Sequence, residues 1–310
     1  MKRIVYILPL LLLLSCSDSK KESESIEIVR LEKMLYNNES VPDSLLQPML
    51  SIFSAQIGEE YNAINYINSN FFQIFEKDVL SMLPSLSKVE ENLYSIYCNA
   101  ENLSLNLPTK AYCGIINPYN QSIIVADSIV YIGLNHYLGY EYKGYESFPD
   151  YIRKRKDISR MIYDIVESVL AYYYPYHPEE NPTVLSKMVY EGALAYLATK
   201  LIPGCNVFSY LFYDEHEIRW IRENSSVIWN TIVEKQLLFT SDYIVISKLC
   251  NISPSTNVIC DECPAMIGRY IGFEIVNAYL QNNAIPDINI ILSSEFYNAK
   301  DILIKAKFRL

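Results

Sequence analysis

Apolar residues recur at helical spacing over most of this chain, and the period changes in one region only. The pattern predicts three or four helices within residues 25–104, divided by prolines. Short β-branched runs bounded by Asn, Pro, Asp and Ser then predict two or three antiparallel strands near residues 111–134. Four more helices are predicted after the strands, at approximately 158–174, 182–202, 215–238 and 265–281. The fold class indicated is α+β, mainly helical, with a small antiparallel sheet.

The helix predicted over residues 182–202 carries signals at its start and on its inner face. Asn181 suits an N-cap, and Pro182 suits the first helical position because the N–H that proline lacks has no partner there. Gly192 lies within the apolar stripe of this helix. Since glycine has no Cβ, we expect another element to approach the helix closely at this point.

The N-terminus has the pattern of a lipoprotein signal peptide. Lys2 and Arg3 precede an apolar run, residues 4–14, which is shorter than the roughly 20 residues that a membrane-spanning helix needs. An aliphatic residue three positions before Cys16 and a small residue directly before it form the pattern that lipoprotein signal peptidase recognises. We predict that residues 1–15 are cleaved and that Cys16 is lipidated. The alternative is an ordinary secretory signal with a chance cysteine.

The rest of the chain is predicted to be a short tether and one domain. Residues 16–25 are mostly small or charged and have little to bury, which is typical of a flexible linker. Residues 26–310 show no repeat or clear linker and can bury one large core. Acyl chains on Cys16 would anchor this domain to an envelope membrane, and we expect the outer membrane rather than the inner, in a leaflet that the sequence does not specify. An envelope protein is the expected partner.

Composition argues against one class of partner and leaves another open. The net charge of -10 argues against nucleic acid, which needs a basic surface. The 27 tyrosines could form sugar-binding platforms or could serve as core and half-buried residues. Their scatter along the chain favours the second interpretation, and a glycan-binding lipoprotein stays an alternative.

The sequence lacks the common signatures of envelope enzymes. It contains no Gly-x-Ser-x-Gly elbow, no P-loop and no His-Glu-x-x-His helix. Three dispersed histidines, His136, His177 and His216, do not form a metal-ligand pattern, so we assign no metal, cofactor or catalytic residue. The pair Cys260 and Cys263 lies in a predicted loop, which favours structural thiols or a loop disulfide over a metal or redox site.

One pattern is similar to a zinc-peptidase helix whose ligands are missing. Val166 and Leu170 stand where such a helix has its two histidines, and Glu167 stands where it has its glutamate. Glu191, in a later predicted helix, stands like the third-ligand glutamate of some zincins. Two carboxylates without imidazole bind zinc poorly, so the pattern does not predict a zinc site.

The two glutamates of this pattern have different expected surroundings. On a helical wheel Glu167 falls with Arg160 and Asp164, which predicts a solvated face with salt bridges. Glu191 borders the apolar stripe that contains Gly192. It is therefore either a buried, hydrogen-bonded carboxylate or a site residue.

Seven segments, taken in order, resemble the gliding-motility lipoprotein GldB family. They are YIGLNHYLG (131–139), FPDYIR (148–153), VYEG (189–192), WIREN (220–224, with Trp229), LLFTSD (237–242), IGRYIGFEIV (267–276) and ILIKAKF (302–308). No segment is specific alone, but with the N-terminal signal the ordered set covers most of the chain. The resemblance implies an envelope lipoprotein linked to gliding machinery, although relatives also occur in bacteria that do not glide. It also implies a distant tie to zincin-like peptidases that have lost their metal ligands.

The chain departs from the pattern expected of that family at several positions. The family leads us to expect aspartate at Asn135, a Pro-Gly-Arg run at 264–266, and tryptophan at Tyr270 and Phe273. Any ligand contact that relatives make through these positions cannot be carried over to this chain. The resemblance supplies no catalytic residue.

We therefore predict a non-catalytic binding or assembly factor with a degenerate zincin-like architecture. Its candidate groove is formed by Tyr190, Glu191 and Trp220, with Glu167 as a further candidate. An envelope hydrolase that uses Glu167 and Glu191 as a carboxylate pair is one alternative, and it predicts convergent buried carboxylates with raised pKa values in a cleft. A glycan-binding protein is the other, and it predicts an exposed row of coplanar aromatic rings. A filled or absent cleft would favour the non-catalytic factor.

Overall fold

The computed structural model describes residues 25–109, 111–284 and 287–309. The predicted signal peptide, Cys16 and the tether up to residue 24 lie outside the described residues. The strands are β1 (Ile28–Arg30), β2 (Ala111–Ile115), β3 (Ile123–Ala126) and β4 (Ile129–Gly133). The helices are α1 (Leu31–Tyr36), α2 (Asp43–Ile57), α3 (Ala63–Ile67), α4 (Asn70–Met82), α5 (Ser87–Asn102), α6 (Asp150–Arg153), α7 (Ile158–Tyr173), α8 (Val184–Leu201), α9 (Val207–Leu211), α10 (Glu215–Glu234), α11 (Tyr243–Cys250), α12 (Ile267–Asn282), α13 (Ser294–Tyr297) and α14 (Ile302–Ala306).

The mainly helical α+β class is confirmed, but the sheet differs from the prediction in two ways. The strand order is β1-β2-β4-β3, in which β1 and β4 are both parallel to β2 and only β3 is antiparallel to its neighbour. The predicted antiparallel sheet is therefore mixed. The strand Ile28–Arg30 also falls in a segment predicted to be helical. It pairs with Tyr112, Cys113 and Gly114, and local spacing cannot reveal a partner that is so distant along the chain.

Helix α8 is buried on every side and packs closely against α12. At the crossing, a Cβ on Gly192 would lie 2.0 Å from the carbonyl carbon of Gly272. A Cβ on Gly272 would lie 1.7 Å from the carbonyl oxygen of Met188. The close approach predicted at Gly192 is confirmed, and it brings the first turn of α12 beside the neighbouring Glu191.

The predicted helix starts are confirmed for α7 and displaced for α8. Helix α7 begins after Asp157, whose side chain accepts a hydrogen bond from the backbone N–H of Ser159. Helix α8 begins two residues later than predicted, because Thr183 and Ser186 cap each other reciprocally and this leaves Pro182 before the cap. Within the described ranges, no helix combines the length and the apolarity that a bilayer-spanning segment requires.

Candidate functional site

Two of the predicted groove residues, Glu167 and Glu191, converge on one guanidinium group. Arg269, in the first turn of α12, places Nη1 2.7 Å from Oε1 of Glu167 on α7. Its Nε lies 3.3 Å from Oε2 of Glu191 on α8 and donates a hydrogen bond of 2.6 Å to the carbonyl oxygen of Cys250. The charged residues around this contact form what we call the three-helix cluster: Arg160, Asp164, Glu167, Lys187, Glu191 and Arg269.

A second guanidinium group completes the α7 side of the three-helix cluster. Arg160 is 1% exposed and places Nε 2.7 Å from Oδ1 of Asp164 and Nη2 3.4 Å from Oε2 of Glu167. Its Nη1 donates to the carbonyl oxygen of Tyr210. The predicted face with salt bridges is found, but it is solvated only in part, since Asp164 and Glu167 are 24% and 26% exposed while Arg160 is buried. Tyr210 and the elements around it cover the arginine.

The α8 side of the cluster is closed by a lysine and by tyrosine rings. Lys187 places Nζ 2.7 Å from Oε1 of Glu191, one helical turn away. The same ammonium group lies 4.8 Å and 4.9 Å from the ring centres of Tyr176 and Tyr190. The Tyr190 hydroxyl donates to the carbonyl oxygen of Tyr174, at 2.9 Å. Glu191 is buried with both carboxylate oxygens in ion pairs, so of the two roles predicted for it the structure matches the buried carboxylate.

The protonation state of Glu167 follows from its two arginine neighbours. Burial alone would raise its pKa, but the guanidinium groups of Arg269 and Arg160 outweigh burial and lower the pKa to about 2. Glu167 is therefore an anion at neutral pH and a weak base. The carboxylate-pair hydrolase predicts the opposite direction of shift, because a general acid or base works best with a pKa near the operating pH.

The structure does not bring Trp220 into this group. The residue is half-buried on α10, where its carbonyl oxygen accepts a hydrogen bond of 2.8 Å from the Asn224 side chain. Among the hydrogen bonds, ion pairs and ring contacts of the described residues, none joins Trp220 to Tyr190 or to either glutamate. Two clefts, of about 590 Å³ near Phe212 and about 690 Å³ near Tyr142, are lined by other residues.

The loop cysteines are free thiols in this structure. Cys260 and Cys263 belong to a turn in which the Cys263 N–H donates to the Cys260 carbonyl oxygen at 3.3 Å, and no disulfide joins them. Burial raises the pKa of the Cys263 thiol to about 12, so the thiol is protonated at neutral pH. A buried, protonated thiol behaves as a small apolar side chain.

The tyrosines serve mostly as core and half-buried residues. Ten of them are buried, namely Tyr66, Tyr112, Tyr131, Tyr137, Tyr145, Tyr190, Tyr210, Tyr213, Tyr270 and Tyr297. Of the most exposed ones, Tyr36, Tyr172 and Tyr243 lie on three different helices and Tyr140 lies in a turn. The ring of Tyr172 is almost perpendicular to that of Tyr173, at 84°. This arrangement does not match the row of coplanar rings that a glycan-binding surface predicts.

Sequence reasoning missed Arg269, on which the three-helix cluster depends. A signal for it existed, because Arg269 is a charged residue inside the apolar segment Ile267–Asn282, and a charge in such a segment needs a partner when it is buried. The sequence does not identify that partner, since Glu167 lies 102 positions away from Arg269 in the chain. Over the described part of the chain, no three His, Cys, Asp or Glu side chains are placed to hold a metal ion together.

Comparison with models of protein families gives a match over most of the chain. The model of the family described as gliding motility protein GldB matches residues 16–310. No curated protein and no solved structure gives a significant match. The zincin-like architecture therefore stays a prediction.

Proposed function

Since the chain belongs to the gliding motility protein GldB family, we propose that it is a lipid-anchored envelope protein that acts by binding and not by catalysis. In this role it is a binding or assembly factor for envelope components related to gliding motility. The observation that carries the non-catalytic part is the position of Arg269, between the two carboxylates that a hydrolase of this kind would use.

The contacts of both glutamates argue for a structural role. Glu167 shares its oxygens between Arg269 and Arg160, and Glu191 shares its oxygens between Arg269 and Lys187. To act as a base or nucleophile, either carboxylate would have to leave ion pairs that are largely shielded from water. Breaking such a pair leaves an uncompensated buried charge, which costs about 3–5 kcal/mol. Their geometry is suited to holding α7, α8 and α12 together.

The anchor is supported by the sequence before the described residues. The signal pattern ends at Cys16, and the first backbone contact of the folded part is the hydrogen bond from the Ile26 N–H to the Glu90 carbonyl oxygen. A tether of this length, fully extended, spans roughly 30 Å. The domain would therefore work close to the membrane surface.

A cluster without its two glutamate carboxylates tests the non-catalytic part. A variant with Glu167→Gln, Glu191→Gln and Arg269→Gln keeps the size of both glutamates, replaces their shared cation with a shorter neutral amide, and has neither of the two candidate carboxylate bases. Produced in the native host in place of the wild-type protein, it should support wild-type function, measured as colony spreading in a gliding host, in proportion to its folded amount in the membrane fraction. Loss of function at a wild-type level of protease-resistant protein would contradict the proposal and support the hydrolase.

The anchor has its own test. Cys16→Ser removes the acylation site and should move the protein from the membrane fraction to the soluble fraction of the envelope, measured by fractionation and immunoblotting. The matched control is Cys260→Ser, which should leave the protein in the membrane fraction. Membrane retention of the Cys16→Ser protein would show that acylation at this residue is not what holds it.

A further inference from the structure

The parallel strands β2 and β4 end side by side, and polar side chains follow both ends. Asn117 comes two residues after β2, and Asn135 and His136 come two and three residues after β4. In sheets with parallel strands, the crevice outside the carboxyl ends of neighbouring strands is where ligands characteristically bind. The cavity here has a volume of about 220 Å³, and we call it the sheet-edge pocket. Its lining includes Asn117, Asn135, His136, Tyr145, Phe148 and Lys156.

The polar groups at the floor of the sheet-edge pocket satisfy one another. The Asn117 N–H donates to Oδ1 of Asn135 at 2.7 Å, and Nδ2 of Asn135 donates back to the Asn117 carbonyl oxygen at 3.0 Å. The Asn117 side chain is bound to the carbonyl oxygen of Gln121 and the N–H of Tyr119. Both asparagines are buried. They fix the shape of the floor, and few of their hydrogen-bonding groups are left for a ligand.

His136 is neutral and has a defined tautomer in this pocket. Burial, and then the nearby Lys156 ammonium, lower its pKa to about 4. Its Nε2 lies 3.3 Å from the Asn117 carbonyl oxygen, which can only accept, so Nε2 carries the proton. Its Nδ1, 3.1 Å from Nζ of Lys156, is therefore the acceptor for the ammonium group. The histidine holds the lysine in place without neutralising it.

Lys156 keeps donors that the protein does not use. The bond to His136 takes one of its three ammonium hydrogens, and no other hydrogen bond or ion pair of the described residues involves Nζ. The ammonium group also lies 5.2 Å and 5.0 Å from the ring centres of Tyr145 and Phe148, whose faces attract it. The backbone of Lys156 is held by two hydrogen bonds. Its carbonyl oxygen accepts from the Gly139 N–H, and its N–H donates to the carbonyl oxygen of Arg153. A positioned cation therefore faces a small cavity with aromatic walls.

We propose that the sheet-edge pocket binds the carboxylate of a small ligand that carries an apolar or aromatic group beside it, as the last residue of a peptide does. One cation matches the single charge of a carboxylate better than the double charge of a phosphate ester. The aromatic walls match an apolar side chain, and the occupied asparagine groups leave little to bind the hydroxyls of a sugar acid. The proposal does not depend on the acylation of Cys16 or on the role of the three-helix cluster, since it rests on residues of neither.

The test compares two probes on the full chain purified in a mild detergent, with detergent alone as the blank. N-acetylphenylalanine carries the carboxylate, and N-acetylphenylalanine amide has the same size without the charge. Calorimetric titration should show binding of the acid at least about tenfold tighter than binding of the amide, as expected for a charged hydrogen bond. Equal affinities, or no binding of the acid, would overturn the proposal, and this comparison needs no variant to fold.

Two variants and a third probe sharpen the result. Lys156→Met should remove the preference for the acid. Lys200→Met should keep it, because Lys200 is an exposed lysine that also lies over a tyrosine ring, at 4.9 Å from the centre of Tyr196. Retention of the preference in the Lys156→Met protein would overturn the assignment. Glucuronate should bind more weakly than N-acetylphenylalanine, and tighter binding of glucuronate would overturn the ligand class.

Discussion

The three-helix cluster and the sheet-edge pocket both hold buried or half-buried cations, but the groups that contact these cations differ. In the cluster Arg160, Arg269 and Lys187 each lie against a carboxylate. In the pocket Lys156 meets a neutral imidazole and two aromatic faces. A buried charge with an internal counter-ion is complete without a ligand, whereas a cation that meets only neutral groups can accept an anion. This difference indicates that the three-helix cluster stabilises the fold and that the sheet-edge pocket is suited to binding a ligand.

The largest expected effect comes from removing the central cation of the cluster. Arg269→Met leaves the buried Glu191 and the half-buried Glu167 without their shared counter-ion, and it should lower the free energy of unfolding by about 3–5 kcal/mol. Urea denaturation of the purified full chain measures the change. Lys305→Met is the control, because the Lys305–Asp301 pair is about half exposed on both sides, and its loss should cost less than about 1 kcal/mol. Equal effects of the two substitutions would mean that the cluster does not hold the helices together.

The second prediction concerns the contact that positions the cluster. Gly192→Ala puts a Cβ 2.0 Å from the Gly272 backbone, where only a shift of α8 against α12 can relieve the overlap. We expect a loss of about 3 kcal/mol in the free energy of unfolding, at the upper end for overpacking. Gly58→Ala is the matched control, since it has open space around it and only a positive φ of 75°, and it should cost about 1 kcal/mol. A loss for Gly192→Ala no larger than that of the control would contradict the tight crossing.

The third prediction separates the two regions by pH. His136 has a pKa of about 4 in the folded protein, below its unfolded value of about 6.5. Its contribution to the free energy of unfolding is therefore complete above about pH 6.5 and is lost as the pH falls to about 4. Glu167 has a pKa of about 2 in the folded protein and 4.5 in the unfolded chain. Its contribution to the free energy of unfolding is therefore complete above pH 4.5 and is lost as the pH falls towards 2. The contribution of His136 in the pocket should therefore be lost first on acidification, and that of Glu167 in the cluster should be lost at lower pH.

A His136→Gln variant isolates the pocket's share of this loss. The amide can donate to the Asn117 carbonyl oxygen but does not titrate. Between pH 7 and pH 4.5 the wild-type protein should lose about 2–3 kcal/mol more of its free energy of unfolding than the variant does. Parallel pH profiles for the two proteins would show that His136 is not held neutral by the fold.

How much could be predicted from the sequence depends on how local each feature is. Helical spacing places the start of α7 to the residue and its end to within one residue, and the glycine at position 192 indicates a close approach correctly. The family resemblance rests on an ordered set of segments, which needs no contact between them. By contrast, β1 is a strand only because it pairs with β2, about 80 residues later, and this pairing outweighs its helical spacing.

The candidate site was harder to predict from the sequence, because its chemistry depends on contacts between segments that are distant along the chain. The zinc-peptidase-like pattern identified both carboxylates, Glu167 and Glu191, as candidates. Their role, however, depends on Arg269, which lies on a third helix, α12. Trp220 was grouped with them through the family segments, and the fold places it on α10 without a contact to them. The sequence indicates only that His136 follows a predicted strand, whereas the parallel pairing of β2 with β4 places it beside Asn117, where it is buried.

The smallest expected effect on stability comes from removing the cation of the pocket. Lys156→Met removes a half-buried charge that has no carboxylate in hydrogen-bond contact, which should stabilise the protein. It also leaves Nδ1 of His136 without a donor, which should destabilise it. The free energy of unfolding should therefore change by less than about 1 kcal/mol. Urea denaturation should therefore show a near-neutral substitution, similar to the exposed control Lys200→Met. A loss as large as that of Arg269→Met would mean that the ammonium group of Lys156 is part of the folded core in the same way as the arginines are. Added N-acetylphenylalanine sharpens the comparison, because it should raise the stability of the wild-type and Lys200→Met proteins and leave that of the Lys156→Met protein unchanged.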